Sequence, residues 1–91
     1  MKFTCPCCGY KTLAKKPPGT FQICRICFWE DDNIQFRKPD FKEGSNEISL
    51  REAQRNFIRI GASRERFLQY VKKPSRKDVK DPSWKLLDRL I

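Results

Sequence analysis

The feature that most constrains this chain is a pair of cysteine doublets: Cys5 and Cys8 enclose two residues, Cys24 and Cys27 enclose two more, and fifteen residues separate the pairs. That spacing falls in the range of a four-cysteine zinc site. Two residues between thiols make a tight turn whose backbone N–H groups point at the sulfurs, and two such turns supply a tetrahedron. Gly9 follows Cys8 at a position suited to positive φ. The chain contains no histidine, so the expected centre is all-cysteine, closed and structural, with no open coordination position for catalysis. The expected cofactor is Zn2+ bound by Cys5, Cys8, Cys24 and Cys27; an iron–sulfur cluster would also accept four thiolates. A disulfide framework or a C-x-x-C redox site fits two matched pairs in a reducing compartment less well.

A chain of 91 residues forms one small domain that buries only about 60–65% of the surface its unfolded form exposes. Metal binding would supply what such a core lacks, because its free energy becomes folding free energy. Its removal is expected to unfold the N-terminal third. The longest apolar run is "ICFW", too short to span a bilayer, and "MKFTCPCCGY" lacks the apolar stretch of a signal peptide. The expectation is a cytoplasmic protein with no membrane partner.

The net charge of +9 is unevenly distributed: +2 over residues 1–36, zero over 37–49, +5 over 50–73 and +2 over 74–91. A basic surface attracts polyanions, including nucleic acid and acidic proteins, without choosing among them. Between the doublets, "YKTL" and "TFQI" alternate as short strands and "KKPPG" signals a turn. This predicts a hairpin bridging the two knuckles, as in a zinc ribbon, with Lys15 and Lys16 at a solvated tip.

The stretches "CPCCGYKTL", "ICRICFWEDD", "NEISLREAQRNF" and "GASRERF" together strongly resemble the bacterial cysteine-rich CPCC family of small proteins. The resemblance covers roughly residues 3–74 and implies a zinc-ribbon-like N-terminal part followed by a helical part; it implies little about activity. Arg25 stands where the second knuckle of the family often has proline, which leaves ligand spacing intact and makes the knuckle more basic. The tail from Ser75 to Ile91 lies outside the resemblance.

After the second doublet, Glu30, Asp31 and Asp32 invite a catalytic reading, but three consecutive acids cannot all face one site. They are expected to pair with arginines from residues 50–66, while Phe28 and Trp29 pack the ribbon on the helices. Residues 36–46 read as a connecting loop. Ser49 and Glu52 form a capping box for a helix that Gly61 stops. At 100° per residue Leu50, Ala53, Phe57 and Ile60 share one face and Arg51, Arg55 and Arg59 the opposite one. A second short helix is expected from Arg64 to about Val71. A third, starting at Asp81 and Pro82, would carry Trp84, Leu87, Leu90 and Ile91 on an apolar stripe.

The fold expected is thus small α+β: a zinc-ribbon part over 1–36 with a short antiparallel hairpin, a connecting loop over 37–48, and two to three helices over 49–91 packed on it. The function expected is a nonenzymatic zinc-binding module that meets nucleic acid or an acidic protein through Arg51, Arg55, Arg59, Arg64, Lys72 and Lys73, with no small-molecule substrate. The alternative is a protein-interaction role, such as an immunity- or antitoxin-like inhibitor or an adaptor. Cys7, the fifth thiol, is expected as an apolar filler under the ribbon, an exposed redox-sensitive thiol being the alternative.

Overall fold

Each cysteine doublet folds as a knuckle closed by the same two backbone bonds. In the first, Gly9 N–H donates to Cys5 O and Cys5 N–H to Tyr10 O, both at 2.9 Å; in the second, Phe28 N–H donates to Cys24 O at 2.7 Å and Cys24 N–H to Trp29 O at 3.0 Å. The turn forces positive φ on the residue after the last cysteine, +80° at Gly9 and +67° at Phe28. Glycine takes that conformation without cost, whereas Phe28 is held in it by stacking on Tyr70 and Phe67, with ring centroids 5.2 and 4.8 Å away.

The structure, a computed structural model, describes residues 1–88. Strand β1 (Phe3–Thr4) pairs antiparallel with β2 (Lys11–Leu13), placing Phe3 opposite Leu13 and Thr4 opposite Lys11, so the hairpin encloses the first knuckle. Around the second knuckle, Ile23 and Glu30 form an antiparallel bridge. This corrects the expected hairpin between the knuckles: "YKTL" and "TFQI" each pair across their own knuckle. What joins them is the Gln22 side chain, whose Oε1 accepts from Ala14 N–H at 2.6 Å and Lys15 N–H at 3.1 Å.

Helix α1 (Asn33–Arg37) follows the second knuckle and α2 (Leu50–Ile60) lies further on, followed by a single 3-10 turn at Glu65–Phe67. Residues 33–37 are therefore helical where the connecting loop was expected to begin at Phe36. Helix α2 is as its ends dictate: Ser49 Oγ accepts from Glu52 N–H at 3.1 Å, and Gly61, at φ +87°, donates to Phe57 O at 2.8 Å. It buries Leu50, Ala53 and Gln54, and Phe57 packs half-buried against the same core. Gln54 is inside because Pro6 O of the first knuckle needs a donor, which Gln54 Nε2 supplies at 2.9 Å.

The C-terminal segment departs most from expectation. The helix expected from Pro82 does not form over residues 82–88, and the stripe's Leu90 and Ile91 lie outside the described residues. Asp81 does not cap a helix: its Oδ2 accepts from Thr4 Oγ1 at 2.5 Å and its Oδ1 from Ser83 N–H at 2.9 Å. Lys11 N–H donates to Val79 O, and Asp81 N–H to Gly9 O, both at 2.8 Å, so residues 79–81 lie as an extended strap along the first knuckle. Likewise the second expected helix shortens to the 3-10 turn, because Phe67 and Tyr70 are drawn onto Phe28.

The acidic trio is also corrected, since neither aspartate pairs with an arginine among the described residues. Asp31 Oδ2 accepts from Thr20 N–H and Oγ1 at 2.9 and 2.7 Å. Asp32 caps α1 by accepting from Gln35 N–H at 2.8 Å and takes Ser45 N–H and Oγ at 2.9 Å. Glu30 is engaged through its backbone, with N–H donating to Asn46 Oδ1 at 3.0 Å and O accepting from Asn46 Nδ2 at 2.8 Å. Fixing loops on both sides of the second knuckle uses these acids locally, before any long side chain reaches them.

Candidate metal centre

The knuckles face each other and bring Cys5, Cys8, Cys24 and Cys27 together, all buried, with every sulfur within 4.8 Å of the others. Cys5 and Cys27 Sγ are 3.6 Å apart and Cys8 and Cys24 Sγ 3.7 Å. A tetrahedron with metal–sulfur bonds of about 2.3 Å has edges of about 3.8 Å, so the donors fit a single ion. A multi-iron cluster places its thiolates on different irons and holds them farther apart. All five cysteines are unbridged thiols.

The electrostatics point the same way. Burial pushes the Cys5 and Cys27 thiols well above their usual range. Hydrogen bonds from Cys27, Cys5 and Cys8 hold Cys24 far below it. Four buried thiolates together require a cation at their centre. Thr12 Oγ1 lies 3.0 Å from Cys24 Sγ, within hydrogen-bond reach, and its hydroxyl is the donor whenever that sulfur is a thiolate.

The strap completes the surroundings. Lys80 Nζ donates to Cys8 O at 2.9 Å and sits 4.7, 4.8 and 5.9 Å from the ring centroids of Trp84, Tyr10 and Phe57. Its charge is thereby fixed beside a centre that, with four thiolates and a divalent ion, carries about −2. Trp84 Nε1 donates to Pro6 O at 2.8 Å, and the Trp84 ring lies so close over Gly9 that a Cβ there would come within 2.6 Å of it. Sequence reasoning missed Thr12, Gln54 and Lys80 as neighbours of the centre; Trp84 docks on the ribbon as a residue of the apolar stripe was expected to, but from an extended strap rather than a helix. Their contacts are long-range, and the one local signal, Asp81-Pro82, marks a turn as readily as a helix start.

Cys7 is fully buried, in the core cluster with Leu13, Ile26, Trp29, Leu50 and Ala53. It is the apolar filler expected, and burial raises its thiol pKa.

The expected partner-binding residues do not form one uniform face. Arg51 pairs with Asp40 at 2.7 Å and Asp88 at 2.9 Å, and Arg55 pairs with Asp88. Arg64 and Arg66 both meet Glu47. Arg59 donates to Asn56 Oδ1 at 2.9 Å, and Lys72 and Lys73 are exposed. None of the described helices is long and apolar enough to cross a membrane.

A family model described as "Cysteine-rich CPCC" matches residues 3–78, which include all four clustered cysteines. No curated protein matches the chain.

Proposed function

The chain belongs to the cysteine-rich CPCC family, and from that premise we propose that it is a nonenzymatic binding module in which Cys5, Cys8, Cys24 and Cys27 hold one structural Zn2+. The module's basic surface takes a polyanionic partner, nucleic acid. The observation that carries the metal half is the buried four-sulfur cage with all sulfurs within 4.8 Å. Zinc suits a closed tetrahedron of thiolates in a chain without histidine. When bound, the ion supplies cross-linking of two knuckles and no chemistry of its own, since four sulfurs leave no position for water or substrate.

This chain's residues do the rest. Lys80 and Thr12 place positive charge and a hydroxyl donor beside the thiolates, while Trp84 covers the first knuckle and keeps water from it. The net charge of +9 becomes about +7 once four thiolates and a divalent ion are counted, and the chain stays strongly basic. Arg59, Lys72 and Lys73 present charge that no carboxylate within 4 Å matches among the described residues. Association with nucleic acid then proceeds by release of condensed counterions, so log affinity falls linearly with log salt, by about 0.7–0.9 for each phosphate neutralised. Fluorescence anisotropy with labelled RNA and DNA oligonucleotides across a salt series tests this. Absence of salt-dependent binding to either at low ionic strength would end the nucleic-acid reading.

A protein partner is the second reading, favoured by apolar side chains left at the surface: Phe21 is 62% and Ile58 61% exposed. Phe21 also holds φ +59°, a conformation costly for an aromatic residue and common at recognition sites. A stoichiometric protein partner lost on Phe21→Asp would support it.

A further inference from the structure

Three cations that the fold leaves without an ion pair among the described residues, Lys2, Lys11 and Lys77, meet Arg25 in one place away from the arginine row of α2. A cavity of about 430 Å³ opens between the β hairpin, the second knuckle and the turn before the strap, lined by Met1, Lys2, Lys11, Arg25, Lys77, Asp78 and Val79. Four positive side chains from four separate stretches of chain converge on it, and one carboxylate answers them. That carboxylate is already engaged, because Asp78 pairs with Arg25 and accepts from Ser75 N–H at 2.7 Å. Asp81 stands nearby, but the Thr4 hydroxyl and both Ser83 donors take its oxygens and hold its pKa low. Lys2, Lys11 and Lys77 make no ion pair among the described residues.

Converging like charges cost a folded chain energy and contribute nothing to its core. The knuckle does not require them either. Pro6 holds in the first knuckle the position that Arg25 holds in the second, and both turns close with the same pair of backbone bonds. Pro6 is buried with its carbonyl taken by Gln54 and Trp84, whereas the Arg25 side chain is 57% exposed at the cavity wall. Three of the arginines expected to form the partner face, Arg51, Arg55 and Arg64, are held by Asp40, Asp88 and Glu47 as Arg25 is held by Asp78, whereas the three lysines of the cavity have no carboxylate partner among the described residues.

We infer that this cavity is the principal phosphate contact of the module, seating consecutive backbone phosphates of a nucleic acid between Lys2, Lys11, Lys77 and the Arg25 guanidinium. The inference rests on the nucleic-acid reading above and relocates its site from α2 to the groove beside the second knuckle. The volume exceeds that of a single phosphate group, which suits a stretch of sugar-phosphate backbone. The ammonium groups act as point charges, and Arg25, whose Nη2 serves Asp78, adds its remaining N–H donors.

The test compares metal-loaded wild type with Lys11→Ala, Lys77→Ala, Lys77→Arg, Arg25→Ala and Arg59→Ala, each checked for metal content and melting temperature, by anisotropy with labelled RNA and DNA oligonucleotides. Lys11→Ala, Lys77→Ala and Arg25→Ala are expected to weaken binding several-fold and to flatten the log–log salt slope by about 0.7–0.9 each. Lys77→Arg restores both, and Arg59→Ala leaves both near wild type. Wild-type affinity and slope in the lysine variants, with loss in Arg59→Ala, would overturn the inference and leave the nucleic-acid reading standing. A wild-type protein that binds neither oligonucleotide would overturn both.

Discussion

Gly9 and Phe28 occupy the same place in two copies of one turn, and they show how a single backbone requirement is met in two ways. At Gly9 the positive φ costs nothing, and the missing Cβ lets the Trp84 ring lie on the knuckle, where any Cβ would come within 2.6 Å of it. Gly9→Ala therefore incurs two penalties. In a Trp84→Ala background it should cost only the left-handed backbone term, about 1–2 kcal/mol, and in the wild-type background distinctly more, the difference being the coupling of the pair. Urea unfolding of the four metal-saturated proteins measures this; equal costs in both backgrounds would contradict the packing of Trp84 on Gly9. At Phe28 the strain is retained in exchange for stacking on Phe67 and Tyr70. Phe28→Ala keeps the strain and loses the rings, whereas Phe28→Gly loses both, so the glycine variant should be the more stable by about 1–2 kcal/mol. The reverse order in the same assay would count against a strained knuckle.

Among the elements, α2 was legible in the sequence because its signals are local: a serine cap, an apolar face and a glycine stop. Ser49→Ala should cost about 1 kcal/mol, read from urea midpoints at saturating metal. The cysteine knuckles were legible for the same reason, spacing alone bringing four ligands into register. What could not be read were elements decided by distant partners. The strap is extended because Thr4 and Gly9 claim Asp81 and Pro6 claims Trp84, across sequence separations of more than seventy residues. The hairpin was misplaced because "YKTL" and "TFQI" alternate equally well whichever neighbour they pair with. Asp32 was assigned to an arginine when its work is to cap α1 and tie down Ser45. Burial acts to raise that carboxyl, but the N–H groups of Gln35 and Ser45 and the Ser45 hydroxyl outweigh it and hold its pKa below the usual range. A depressed carboxylate contributes stability that is fully present above the unfolded value of about 3.9 and lost as pH falls through the folded one. Asp32→Asn should accordingly show the same urea-midpoint deficit at pH 7 and pH 5; a deficit already shrinking across that window would contradict the assignment.

For the molecule as a whole, the four-cysteine cluster and the hydrophobic core are one object. Cys5, Cys7, Cys8, Cys24 and Cys27 share a single buried cluster with Leu13, Ile26 and Trp29 from the ribbon and with Leu50 and Ala53 from α2. The sequence alone suggested that losing the metal would unfold the N-terminal third. The shared cluster extends that consequence to α2, since its buried face packs on the knuckles. A strong chelator should therefore abolish most of the α2 helical signal in circular dichroism along with near-ultraviolet tryptophan structure, and readdition of zinc should restore both. The proposed closure of four thiolates around one zinc ion leaves it no other ligand. X-ray absorption at the metal edge of protein purified without added metal tests this most directly: it should show one zinc per chain with four sulfurs at about 2.3 Å. An oxygen or nitrogen ligand in the shell, or an iron edge with inorganic sulfide, would contradict it.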